Sequence, residues 1–160
     1  MTAPVLTQAM VQRAFREVDF ARPWVGLQPV GNETLVNFET FYRVRWPQAG
    51  VAPKEIATVT LLGRSVRIRP SVRSFTYSFG DGSSAGPTSD PGGTYPAGRI
   101  RHTYSSSGSV PVVVRAVYTG DFSVDGGAWE PVDESVTITG PPTALHVREA
   151  INRLEAGEGQ

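Results

Sequence analysis

Asp81 stands between Gly80 and Gly82, with Ser83 and Ser84 directly after it. A carboxylate in that setting can serve as a general acid or base, as an oxygen ligand for calcium, or as an acceptor for the amides of a tight turn. The first role needs company. A nucleophilic triad would have to combine His102, one of only two histidines, with a serine and an acid such as Asp121, Asp125 or Asp133. No G-x-S-x-G elbow is present, and nothing in the spacing selects those acids. Calcium would recruit Asp81, Asp90, Ser83 and Ser84, and two carboxylates in that stretch are few for this ion. No cysteine and no HExxH pair exist, which argues against zinc and excludes disulfides and a thiol nucleophile. Gly80-Asp81-Gly82 and Asp125-Gly126-Gly127 lack the spacing of a phosphate loop and read as turns. The expectation is therefore architectural. Gly80 and Gly82 supply positive φ where a strand reverses, and Asp81 fastens the turn. No catalytic, cofactor-binding or metal-ligating residue is expected and the chain reads as a non-enzyme, with calcium the main competitor.

Residues that could bind a partner are of two kinds. Arg64, Arg67, Arg69 and Arg73 form the densest charge cluster, and on a strand Arg67 and Arg69 project to one face. That face is either ordinary solvated sheet or a patch for an acidic protein or an anionic cell-wall polymer. Tyr95, Trp24 and Trp129 are the aromatics in loop-like settings. Aromatics on exposed loops often carry protein or sugar contacts, and the alternative is that they cap the core or pin the loop. Tyr95, Trp129, Arg67 and Arg69 are thus the candidate partner-binding residues. His146 reads as a surface or half-buried residue.

The surrounding chain must position these groups. Its 160 residues are 39% hydrophobic, enough for one core, and carry a formal net charge of zero. Neither a nucleic-acid partner nor a membrane span is indicated. Seventeen Gly and 13 Pro suit short strands joined by turns. Residues 4–18 repeat apolar positions at three and four (Leu6, Met10, Val11, Ala14, Phe15, Val18) and predict a helix capped by Thr2 or Thr7. Residues 19–31 read as an extended linker. From residue 34 the period becomes two. Strands are expected at 34–44, 56–62, 65–70, 72–79, 109–118, 134–140 and 143–150. A turn-rich insert spans 80–101, and a hairpin at 121–129 turns on Asp125-Gly126. The layout is a helix and linker at 1–31, a β-sandwich at 32–149 and a flexible tail at 150–160. No basic start and apolar block of a secretory signal is visible at the N-terminus.

Tyr77-Ser78-Phe79-Gly80-Asp81-Gly82 resembles the W-D-F-G-D-G signature of the PKD (polycystic kidney disease repeat) domain. The run from His102 through Tyr104 and Gly108 to Val112 is similar to the family's second motif, H-x-Y-x-x-x-G-x-Y-x-V. The resemblance covers about residues 66–140 and implies an all-β, immunoglobulin-like sandwich. It also implies that Gly80, Asp81, Gly82, His102, Tyr104 and Gly108 serve structure. Tyr77 and Ser78 stand where the family has Trp and Asp, and Val110 where an aromatic is common. Segments such as TLVNFETFY and ITGPPTALHV also look like small exported actinobacterial proteins with PKD-like domains. The implied role is a non-catalytic binding or structural module, extracellular or at the cell surface, contacting protein or cell-surface glycan. Self-association is possible on this reading. The alternative is a subunit of an extracellular filament or surface assembly docked through residues 1–31.

Overall fold

The computed structural model describes residues 5–149; the tail expected at 150–160 lies outside them. A helix, α1 (Gln8–Arg16), opens the described chain, shorter at both ends than its apolar repeat. Thr7 caps it, its hydroxyl accepting from Met10 N–H at 3.2 Å. Val11, Ala14 and Phe15 form its buried face. Phe15 meets Phe20 edge-on at 5.0 Å, and Phe20 stacks on Tyr118 at 4.5 Å. Gln8 Nε2 donates to the Val132 carbonyl at 2.6 Å, and Gln12 to that of Asp133. The helix therefore spends its apolar face on this chain's own core.

The strands are β1 (Trp24–Gln28), β2 (Glu33–Leu35), β3 (Thr40–Arg45), β4 (Ala57–Leu61), β5 (Arg64–Ser78), β6 (Ser84–Thr88), β7 (Arg101–His102), β8 (Gly108–Val124), β9 (Glu130–Pro131), β10 (Val136–Thr139) and β11 (Thr143–Arg148). A small sheet has the order β1-β3-β7. A large one runs β2-β11-β8-β5-β4, with β6 also on β5 and β9 and β10 on β8. Buried side chains of both sheets share one core: Val25, Tyr42 and Val44 from the first, and Ile68, Tyr77, Val112, Val114, Tyr118 and Leu145 from the second. Each such side chain contributes about 1.5–3 kcal/mol by leaving water. The fold is mostly β, as the alternation predicts.

Several segments depart from expectation. Within the expected linker, residues 24–28 form β1 and pair with β3, because Val25 is a core residue. Residues 34–44 are two strands rather than one. Asn37 takes φ 64°, so the chain leaves the edge of β11 and steps to the other sheet. The strands expected at 65–70 and 72–79 are one strand, β5 (Arg64–Ser78), bent by an irregularity between Val72 and Ser74. Pro70 does not break it. Its carbonyl accepts from Lys54 N–H on the side away from β8, so the missing N–H costs no bond to β8. Residues 108–124 are likewise continuous as β8, and the expected turn follows, with Asp125 at φ 50° and Gly126 at φ 77°. The insert folds back: β6 makes a hairpin with β5, and Pro91 then accepts from Val44 N–H, tying the chain to β3.

Candidate functional site

β5 and β6 meet at the glycine-flanked acid. Gly80 (φ 86°) and Gly82 (φ 91°) both lie in the left-handed region. A Cβ on Gly80 would sit 2.6 Å from the Pro111 carbonyl oxygen and 2.8 Å from Val110 Cβ, whereas one on Gly82 would meet nothing within 4 Å. Asp81 Oδ1 accepts from Ser83 N–H at 3.1 Å and from the Ser83 hydroxyl, closing a local turn. Asp81 Oδ2 lies 2.7 Å from His102 Nε2. The His102 ring stacks on Phe79 at 4.4 Å and meets Tyr104 edge-on. Tyr104 donates to the Phe79 carbonyl at 2.8 Å, and its oxygen lies 2.7 Å from that of Tyr42. The second motif thus clamps the first. Burial pushes the Tyr104 phenol up to about 12 and that of Tyr42 higher. Gly108 (φ 140°) begins β8 on the surface, away from this cluster's ring contacts.

An acid, an imidazole and a hydroxyl do converge here, since Ser83 Oγ is 3.1 Å from His102 Nε2. Their connectivity is not that of a relay. In a triad the acid orients one ring nitrogen while the other takes the hydroxyl proton. Here Asp81 and Ser83 address the same nitrogen, and the Ser83 hydroxyl donates to Asp81. The arrangement fastens a strand end. The spacing Asp81–Ser83 is itself the mark of an Asx turn and could have named Ser83 from sequence.

Partial desolvation pushes the Asp81 carboxyl up, but the hydrogen bonds from Ser83 and His102 outweigh it and hold it at about 2, below its ordinary 3.8. A folded-state value below the unfolded one stabilises the fold above about pH 4 and is lost as pH falls through about 2. The wild type should therefore lose its advantage over Asp81→Asn between pH 4 and 2, by on the order of 1 kcal/mol after solvent screening. Urea midpoints of both proteins across that range measure it; a constant difference contradicts a carboxylate held by these hydrogen bonds.

The partner-binding candidates divide between two places. Arg69 lies over the Trp129 ring at 4.1 Å and Arg67 at 4.9 Å. Arg67 also donates to Ser123 Oγ at 3.4 Å, and Arg69 pairs with Asp121 at 3.7 Å. These three residues meet one another and form a cation–π stack. Arg64 pairs with Asp125, and Arg73 is exposed. Trp24 lies under Arg45. His146 is exposed, with Nδ1 2.7 Å from Ser109 Oγ.

Tyr95 is elsewhere and is 70% exposed. Its N–H donates to Gln28 Oε1 at 2.7 Å, and its ring meets Phe41 edge-on at 5.8 Å. Gln28, Pro29, Val30, Phe38, Glu39, Phe41 and Tyr95 line an open, apolar groove of about 670 Å³. Val30 and Phe38 are also largely exposed. Arg101 pairs with Glu39 at its rim. The groove is assembled from the end of β1, the start of β3 and the insert, so only its Tyr95 component carried a local signal.

Among the described residues no cluster of three or more His, Asp or Glu side chains could hold a metal ion. Asp90, the second carboxylate considered for calcium, accepts from Gly92 N–H within its own loop. No helix of the described chain is long and apolar enough to cross a membrane. The chain matches no protein-family model, no curated protein and no solved structure.

Proposed function

We propose that this chain is a non-catalytic binding or structural module, an immunoglobulin-like sandwich of PKD type that acts outside the cell or at its surface and contacts protein or glycan. The fold-level reading is supported by two sheets sharing one core, with the chain passing from β3 to the large sheet, back to β7 and out again to β8. It is also supported by the contact between the two resembling motifs, through Asp81–His102 and Tyr104–Phe79. The shared use of one His102 nitrogen favours a structural over a catalytic role for the polar cluster.

The observation that carries the binding role is the apolar groove beside Tyr95. Its ring is exposed while its backbone is pinned, so little order remains to be imposed on binding. Affinity electrophoresis in gels containing cell-wall polysaccharide tests this. Tyr95→Ala should weaken retention about tenfold or more, as loss of a central aromatic anchor does. Trp129→Ala should weaken it less, because Arg67 and Arg69 already cover that ring. Equal retention of wild type and Tyr95→Ala would dismiss the groove.

A further inference from the structure

We propose that β4 is a strand-addition edge whose occupant is β4 of a second copy of this chain, paired antiparallel across a two-fold axis with Val59 opposite Val59. This goes beyond the binding role above and does not use the Tyr95 groove.

β4 ends the large sheet on one side, with β5 as its only strand partner among the described residues. Strand edges are usually blunted by charge, proline, shortness or cover. The other edges carry such devices: β9 is Glu130–Pro131, and on β10 the Thr139 carbonyl accepts from the Arg22 guanidinium. β6 contains Gly86 and Pro87, β7 has two residues, and β2 has three and ties Glu33 to Arg148. On β1 the Val25 carbonyl accepts from Thr143 Oγ1. β4 has none of these. From Ile56 to Leu62 the chain reads IATVTLL, with no charge, no proline and no glycine.

The direction of the backbone groups follows from bonds on either side of β5. The Pro70 carbonyl bonds to Lys54 N–H, and the Ser65 carbonyl to Asp125 N–H, beyond β8's last residue. From Arg64 to Pro70, before the irregularity in β5, even-numbered residues therefore turn their polar groups toward β4 and odd-numbered ones toward β8. Arg64, Val66 and Ile68 face Leu61, Val59 and Ala57, which must bond inward. Thr58 and Thr60 are left with N–H and C=O aimed out of the sheet, and both side chains are exposed.

A two-fold axis at Val59 sets Thr58 opposite Thr60 of the second copy, so each such pair exchanges both of its outward bonds. The same register brings Ile56 up to the β4–β5 hairpin turn of the second copy, where Leu62 stands at φ 52°. These are two of the exposed large apolar side chains of the molecule, at 48% and 47%. Each end of the joint then sets an exposed Ile beside the exposed Leu of a turn, and Thr–Thr neighbours fill the middle. The edge is self-complementary in backbone bonds and in apolar cover.

Sedimentation velocity and light scattering of the full chain over a concentration series test this. The wild type should shift toward dimer with concentration. Thr60→Pro removes an outward N–H without touching the β5 ladder, and Thr58→Lys places a charge on an exposed edge position. Each should weaken dimerisation at least tenfold. If Thr60→Pro unfolds by circular dichroism, Thr58→Lys carries the comparison. The register has its own readout, since the chain has no cysteine. Val59→Cys should cross-link to a dimer under mild oxidation, and Ala57→Cys, set opposite Leu61 of the second copy, should not. A wild type that stays monomeric at its highest soluble concentration overturns the proposal. So does a dimer that survives Thr58→Lys.

Discussion

Gly80→Ala should destabilise the protein by about 3 kcal/mol, whereas Gly82→Ala, one residue past the acid, should cost only about 1 kcal/mol. Both substitutions place an L-residue in the left-handed region, at about 1–2 kcal/mol. Gly80 alone adds a collision. Its new Cβ would press on the Pro111 carbonyl oxygen and on Val110 Cβ, at 2.6 and 2.8 Å. The first contact is with backbone of β8, so relief requires the β5–β6 corner to move away from it. Overpacking of this kind costs about 1–3 kcal/mol more. For a chain of this length the Gly80 variant should melt roughly 6–12 °C lower. Thermal and urea unfolding of the two variants measure the difference. Equal losses would mean that the corner is not held against β8, and the account of the motif would fail with it.

Phe15→Ala should be comparably damaging, at about 3–5 kcal/mol. Phe15 is fully buried and bridges α1 to the core through Phe20, which in turn stacks on Tyr118 of β8. Gly120 backs the same ring, so close that a Cβ there would touch Phe15 at 3.0 Å. The surrounding backbone is held in the β5–β8 ladder and cannot collapse to refill the hole. Chemical denaturation of the variant gives the loss directly. A loss below about 1 kcal/mol would show that α1 is an appendage, as surface substitutions behave. It would also free the helix face for the assembly role that residues 1–31 could serve.

The helix was legible because Leu6, Met10, Val11, Ala14 and Phe15 repeat at helical spacing and Thr7 offers a cap oxygen. The fate of its apolar face was not, since a stripe of side chains does not say which surface covers it. The same limit applies at Asn37 and Pro70. Asn37 interrupts the strand although the alternation continues on both sides of it, because the chain there changes sheets. Pro70 sits inside a strand because it occupies the ladder position where no β8 bond is needed. Trp129, Arg67 and Arg69 were each visible as candidates, but the Trp lies far along the chain from the two arginines. Only pairing of β5 with β8 and the turn at Asp125 brings the ring under both guanidinium groups.

Composition and period settled that this is a β-rich chain with an amphipathic helix near its N-terminus, and local turn chemistry settled where Gly80, Asp81 and Gly82 reverse it. Those are properties of neighbours within a few residues, where φ preferences and side-chain alternation act. Tertiary structure decided that Ser83 and Asp81 share one nitrogen of His102, that Tyr95 overlooks an apolar groove, and that β4 pairs with β5 alone among the described residues. Each depends on which strands pair and in what register, and register is chosen by the whole core at once.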